Sequence, residues 1–243
     1  MPEPRTAERF TERIQEHQSD DELRKIQRYF RSGEGDYGEG DEFMGVRMGT
    51  VFALAKEFIA MPPAEIEKLL DSPIHEVRAG ACSIMDKQGR DKKTTAERRK
   101  ELFDLYLRRH DRINNWDLVD LAAPFVVGRY LADHPGDTLD RLARSENTWE
   151  RRTAIVATAY FLRQGQPDDT FRIAELLVSD PHDLIHKATG GWLRVAGDQD
   201  PARLRQFLDH HAPTMPRTML RYALEHFDPT ERKHYMTLGS PSR

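Results

Sequence analysis

Residues 145–155 read SENTWERRTAI, and the same form opens DSPIHEVRAGA from Asp71 and SDPHDLIHKATG from Ser179. Each begins with small polar residues suited to cap a helix, reaches a cation about one turn in, and continues with small residues that admit a neighbouring helix. In two of the three a proline stands near the first turn, where its missing N–H is harmless. Arg78, Arg152 and Lys187 are thereby read as equivalent. They lie 74 and 35 positions apart, so the first gap spans two repeats and the second one. A repeat is then expected near residue 115, and NNWDLVD at 114–120 stands there, with Trp116 and Trp149 in phase 33 positions apart. APTMPRTMLRYAL, from Ala212, supplies one more unit, with Thr214 as its cap and Arg217 as its cation.

Three- and four-residue apolar spacing runs through most of the chain, and alternating strand patterns bounded by turn dipeptides are nearly absent. The fold class is therefore all-α. A period of about 33–40 residues with two helices per unit predicts a HEAT-like α-solenoid, an α-α superhelix. Gly33, Gly35, Gly38 and Gly40 in RSGEGDYGEGDEF (31–43) forbid a stable helix there. The expected organisation is one domain over residues 1–243: an amino-terminal helical hairpin at about 4–31, a glycine-rich loop at 32–43 and stacked helix pairs over 44–236.

Composition narrows the partners. Lys+Arg number 37 against 41 Asp+Glu, a net charge of -4, so a polyanion would have to be held by one face. The single cysteine, Cys82, cannot form an internal disulfide, which points to a reducing, cytoplasmic setting. No apolar run approaches the roughly 18 residues of a membrane span, and MPEPRTAERF is too charged for a signal peptide. The ten histidines show no metal-ligand spacing, and GEGDYGEG lacks the Lys-Ser/Thr of a phosphate loop, so no metal or cofactor is expected.

Stacked helix pairs place the second helix of every pair on one face. Arg78, Arg152, Lys187 and Arg217 would then form a basic track for phosphates, aided by helix amino termini. The alternative for each cation is an ion pair with an acid of the neighbouring repeat. In a helix starting near Asn114 or Asn115, Trp116 and Asp120 share a face, Leu118, Leu121, Ala122 and Phe125 turn toward the packing side, and Asp117 lies on another flank. An indole beside a carboxylate suits a cationic sugar or base, as in the oxocarbenium-like state of N-glycosidic cleavage. The alternative is a tryptophan packed between repeats and an aspartate bound to an arginine.

NNWDLVDLAAPFVVGRYL, LARSENTWERRTAIVATAYFLR, HDLIHKATGGWLRVAGDQD and TMPRTMLRYALEHF, with YGEGDEFMGVRMG nearer the start, resemble in collinear order the AlkD-type DNA alkylation-repair glycosylases over residues 20 to 236. The resemblance implies a HEAT-like fold and excision of cationic N3- and N7-alkylpurines from double-stranded DNA without drawing the base into a pocket. It matches Trp116 and Asp120 to the family's W-D-x-V-D element and Arg152 to its N-x-W-x-x-R element, residues that touch the lesion nucleotide or stabilise the departing base. One departure stands in GGWLRV: the family's aromatic is expected at Gly191, and Trp192 lies one position, about 100° of helix, further on. Trp192 is thus a candidate wall of the lesion site. The expectation is a metal-independent, monomeric glycosylase. The alternatives are a non-catalytic binder of distorted or branched DNA, which Gly191 favours, and a protein-interaction scaffold.

Overall fold

The computed structural model describes residues 5–30, 33 and 36–238; the outer ends of the expected hairpin and parts of the glycine-rich loop, at residues 1–4, 31, 32, 34 and 35, lie outside the described residues, as do 239–243. Among the described residues the regular structure is helical, with one isolated bridge between Glu42 and Ile74. The helices fall into two compact units, Met1–Tyr130 and Leu131–Arg243.

In the first unit, α1 (Ala7–Gln15) and α2 (Asp20–Tyr29) are capped by Thr6 and Ser19, whose hydroxyls accept from the Arg9 and Glu22 N–H groups. There follow α3 (Met48–Glu57), α4 (Pro63–Leu70), α5 (His75–Arg90), α6 (Ala96–Arg108) and α7 (Trp116–Ala122). Helices α3, α5 and α7 pack in one row and α4 packs on α6 in another, the layering that stacked pairs require. Helix α5 is buried almost throughout, so its polar side chains need internal partners. The Glu76 carboxylate accepts from the Met44, Gly45 and Val46 N–H groups, and the Gln88 amide donates to the Ile59 and Met61 carbonyls. Gly89 permits a close approach: a Cβ there would stand 2.6 Å from the Phe125 carbonyl oxygen.

The apolar run after α7 does not continue as α-helix. Residues Ala123–Gly128 form a π-helical turn before α8 (Arg129–Asp133). Pro124 has no N–H to donate and its ring crowds the preceding turn, which explains the departure. Phe125, expected to face the packing side, is half-buried beneath the Arg90 guanidinium, 3.9 Å from its ring centroid.

The second unit contains α9 (Thr138–Ala143), α10 (Thr148–Ala157), α11 (Ala159–Arg163), α12 (Asp168–Leu177), α13 (Asp183–Gln199), α14 (Pro201–His211), α15 (Arg217–Ala223) and α16 (Pro229–Thr237). Here α10, α13 and α15 make one row, and α9 packs on α12 in the other. The helix starts that announced the repeat share one device. A side-chain oxygen accepts from the N–H two residues on: Ser72 from Ile74 at 3.1 Å, Ser145 from Asn147 at 3.0 Å and Asp180 from His182 at 2.8 Å. The last start, in APTMPRTMLRYAL, differs from expectation. Helix α15 begins at Arg217 after Pro216 with no side-chain cap, and the Thr214 hydroxyl donates to the His211 carbonyl instead.

Candidate functional site

The site is built at the start of α7. Asn115 is fully buried as its N-cap: its Oδ1 accepts from the Trp116 N–H at 2.8 Å and its Nδ2 donates to Asp41 Oδ2 at 2.9 Å. This fixes the first turn, from which Trp116, Asp117, Asp120 and Leu121 line a cleft of about 690 Å³. The facing walls come from α2, through Glu22, Lys25, Ile26 and Tyr29, and from the start of α3, through Arg47, Met48 and Phe52. All of these residues belong to the first unit.

Aromatic rings make most of the apolar surface. Trp116 stacks on Phe30, with centroids 5.8 Å apart and planes at 22°, and meets Tyr29 edge-on at 6.0 Å. Phe30 also stacks on Phe43 and lies 4.8 Å from the His75 ring. Phe30 is buried, whereas Tyr29 is 67% exposed, so the tyrosine remains open to a ligand.

Beneath the rings runs a closed chain of charge. His75, fully buried at the first position of α5, places Nε2 2.8 Å from Asp117 Oδ2 and Nδ1 3.3 Å from Asp41 Oδ2. Asp41 is ion-paired with Arg78, whose guanidinium also donates to the Ser72 and Pro73 carbonyls at 2.9 and 2.8 Å. Burial alone would push the His75 imidazole down, but the Asp117 and Asp41 carboxylates outweigh it and hold the ring at about 9. Burial likewise pushes Asp41 up, and His75, Arg78 and Asn115 together hold it below the usual carboxylate value. At neutral pH two cations and two anions therefore alternate from Arg78 to the wall of the cleft. On the opposite rim, Glu22 receives Arg47 at 2.8 Å and Lys25 at 2.6 Å, and hydrogen bonds from Arg47 first and Lys25 second hold its carboxyl down to about 2.

The residues named from the sequence have separate fates. Trp116, half-buried, and exposed Asp120 do line one cleft, as their spacing implies. Asp117 and Leu121, assigned to other faces, line it as well. The four cations do not share one environment. Arg78 is 2% exposed and engaged with Asp41, so it is not an open groove cation. In the second unit Arg152 is 7% exposed and donates to the Leu184 carbonyl at 2.8 Å. Lys187 is exposed and paired with Asp183 at 2.6 Å, and Arg217 is exposed and donates to the Leu238 carbonyl at 3.1 Å. Trp192 is half-buried on α13, and a Cβ at Gly191 would meet no atom within 4 Å.

The register of the cations is corrected by one residue. The counterpart of Arg78 is Arg151, whose guanidinium donates to the Ser145 and Glu146 carbonyls at 3.0 and 2.9 Å, just as Arg78 does to those of Ser72 and Pro73, and pairs with Asp180 at 2.6 Å. At the start of α13 His186 takes this place, its Nε2 at 2.5 Å from the Asp180 carbonyl oxygen. Counting from Ser72, Ser145 and Asp180 instead of from the first cation would have found this. His75, Asp41 and Tyr29 were missed because no local pattern connects them with residue 116. Among the described residues no group of three His, Cys, Asp or Glu side chains is placed to hold a metal ion.

The comparisons with known proteins agree with this architecture. The family model described as DNA alkylation repair enzyme matches residues 10–227, and the chain belongs to that family. A solved structure described as a predicted DNA alkylation repair enzyme from Enterococcus faecalis shares the fold, with a TM-score of 0.67 at 17% identity over 88% of this chain and 98% of that one. No curated protein matches. Among the described residues no helix is long and apolar enough to cross a membrane.

Proposed function

We propose that this chain is a DNA glycosylase that hydrolyses the N-glycosidic bond of cationic N3- and N7-alkylpurines in double-stranded DNA, the first step of base excision. One observation carries the reading: in a chain of the DNA alkylation repair family, Trp116, Asp117 and Asp120 line one aromatic cleft. A base that already bears positive charge leaves as a neutral molecule and needs no general acid. As the C1′–N bond lengthens, its electron pair goes to the base and the sugar becomes an oxocarbenium-like cation. Asp120 stabilises that cation and positions the water that attacks C1′, taking up its proton. Trp116 holds the nucleotide against the carboxylate. Lys187 and Arg217, both exposed, contact DNA phosphates, whereas Arg152 is buried and donates to the Leu184 carbonyl, so it is not an open groove cation. Arg78, by its burial, is assigned to the charge chain behind Asp117.

Incubating the protein with DNA containing N7-methylguanine and measuring released base and abasic sites tests the reading. Release that is lost in Asp120→Asn, with DNA binding retained, supports it, and no release at stoichiometric enzyme overturns it. Gly191 favours a second reading, a protein that binds distorted DNA without chemistry, because open space stands where the resemblance places an aromatic. That reading predicts salt-sensitive binding with no excision.

A further inference from the structure

The first turn of α7 is held from behind at two points, and both holds meet at one ring. Asn115, its buried cap, donates to Asp41, and Asp117, two residues on, lies 2.8 Å from His75 Nε2. Asp41 in turn stands 3.3 Å from His75 Nδ1. The ring is fully buried at the first position of α5, where the His75 backbone N–H donates to the Glu42 carbonyl at 2.7 Å. It also lies against Phe30 at 4.8 Å and Phe43 at 5.2 Å, and Phe30 stacks on the Trp116 indole. Among the described residues Asp117 Oδ1, also buried, has no hydrogen-bond partner, so the bond from His75 to Oδ2 carries the placement of this carboxylate. We propose that His75, as an imidazolium, is a positioning residue: it locks the first turn of α7 and, through Phe30, the Trp116 ring, so that Trp116 and Asp120 are set before DNA arrives.

This inference rests on the glycosylase reading for what the turn presents, and goes beyond it by giving a role to a residue that reaches no substrate. A neutral imidazole has one N–H and can donate to one carboxylate only, whereas the imidazolium has one for each. An aspartate oxygen beside each nitrogen therefore selects the charged ring. Burial opposes that charge, but Asp117 and Asp41 outweigh it and raise the ring to about 9. The other ionisable groups around it are otherwise engaged: Arg78 pairs with Asp41, the Glu76 carboxylate accepts from the backbone N–H groups of residues 44–46, and burial pushes the Cys82 thiol up. Loss of the ring proton leaves one of the two carboxylates without its donor, and the turn loosens on the side of Asp117 or of Asn115.

Fluorotryptophan labelling of the full chain tests the positioning apart from the chemistry. Each of the 3 tryptophans gives one fluorine resonance, and that of Trp116 is the one lost in Trp116→Phe. As the pH is raised from neutral, the Trp116 resonance should shift with a midpoint of about 9 while those of Trp149 and Trp192 stay in place. The shift should be absent in His75→Gln. In Asp117→Asn its midpoint should move to lower pH, because a carboxylate that raises the ring is gone, and should His75→Gln fail to fold this variant decides alone. In Tyr29→Phe the shift should persist, which sets aside the phenol beside the indole. Single-turnover excision should follow the same midpoint: the maximal rate falls about tenfold above it while the DNA concentration at half-maximal rate is unchanged, and His75→Gln runs at the low rate at every pH. A Trp116 resonance that does not move, that titrates unchanged in His75→Gln or Asp117→Asn, or that loses its shift in Tyr29→Phe overturns the inference. Titration of Trp116 as expected with no excision at any pH leaves the hold of His75 on the turn standing and removes the glycosylase. Excision with an unmoving Trp116 resonance does the reverse.

Discussion

Two arginines of this chain occupy the same local frame. Arg78 in the first unit and Arg151 in the second each reach back over a serine-initiated turn, donate to two successive carbonyls, and pair with an aspartate from elsewhere in their unit. The difference lies in what the aspartate holds next. Asp180 accepts from the His182 N–H and so helps to start α13. Asp41 instead receives Asn115 and stands beside His75, and through these the charge reaches Asp117 at the cleft. A structural device repeated along the chain becomes part of a site where its counter-ion is connected to an opening.

Substitution of the two arginines is the sharpest way to break the parallel. Arg78→Ala should cost about 3–5 kcal/mol, because it leaves Asp41 buried without its cation, and should show as a lowered urea midpoint. Asp120→Asn tests the proposed chemistry alone: single-turnover excision should fall about 10²–10³-fold with stability unchanged. Arg151→Ala should cost about 1.5–3 kcal/mol, the loss of charged hydrogen bonds from a group with some solvent access. It should leave the pH dependence of the cleft intact.

That pH dependence separates the units further. His75 is raised when folded, so its stabilising contribution is complete below about 6.5 and is lost as pH rises through about 9. Asp41 is lowered, so its contribution is present above the ordinary carboxylate value and is lost as pH falls through its depressed one. Unfolding by urea across pH should therefore show an alkaline loss of stability that His75→Gln flattens and Arg151→Ala does not. The smallest effect belongs to Gly191→Trp. With open space at its Cβ, stability should move by about 0.5 kcal/mol or less, while a rise in excision would show that the missing aromatic limits the site.

Much of this was legible locally. Capping residues, small residues in second helices and the spacing of Trp116 and Asp120 are short-range signals, and they located the repeat and one wall of the cleft. The register of the cations was not legible, because Arg151 and Arg152 are adjacent and the frame that distinguishes them is a hydrogen-bonded turn at Ser145. Asp117 was assigned to another flank than Trp116 and Asp120, and its partner, His75, is 42 positions away. The π-helical turn shows a different limit: apolar spacing through 123–128 is compatible with α-helix, and only the missing N–H of Pro124 argues otherwise. The opposite wall of the cleft is tertiary in origin, since nothing in the composition of α2 says that Tyr29 meets Trp116.

The short segment 44–47 has a consequence for how the two sides of the cleft stay together. Gly45 accepts from the Ser19 N–H at 3.1 Å, Arg47 binds Glu22, and Glu76 gathers the N–H groups of residues 44–46 onto α5. Helix α2 is thus tethered to the body by bonds that do not pass through the covalent link ahead of Asp41. A single proteolytic nick in that link should yield two fragments that co-elute as one particle, and separately expressed halves should reassemble by complementation.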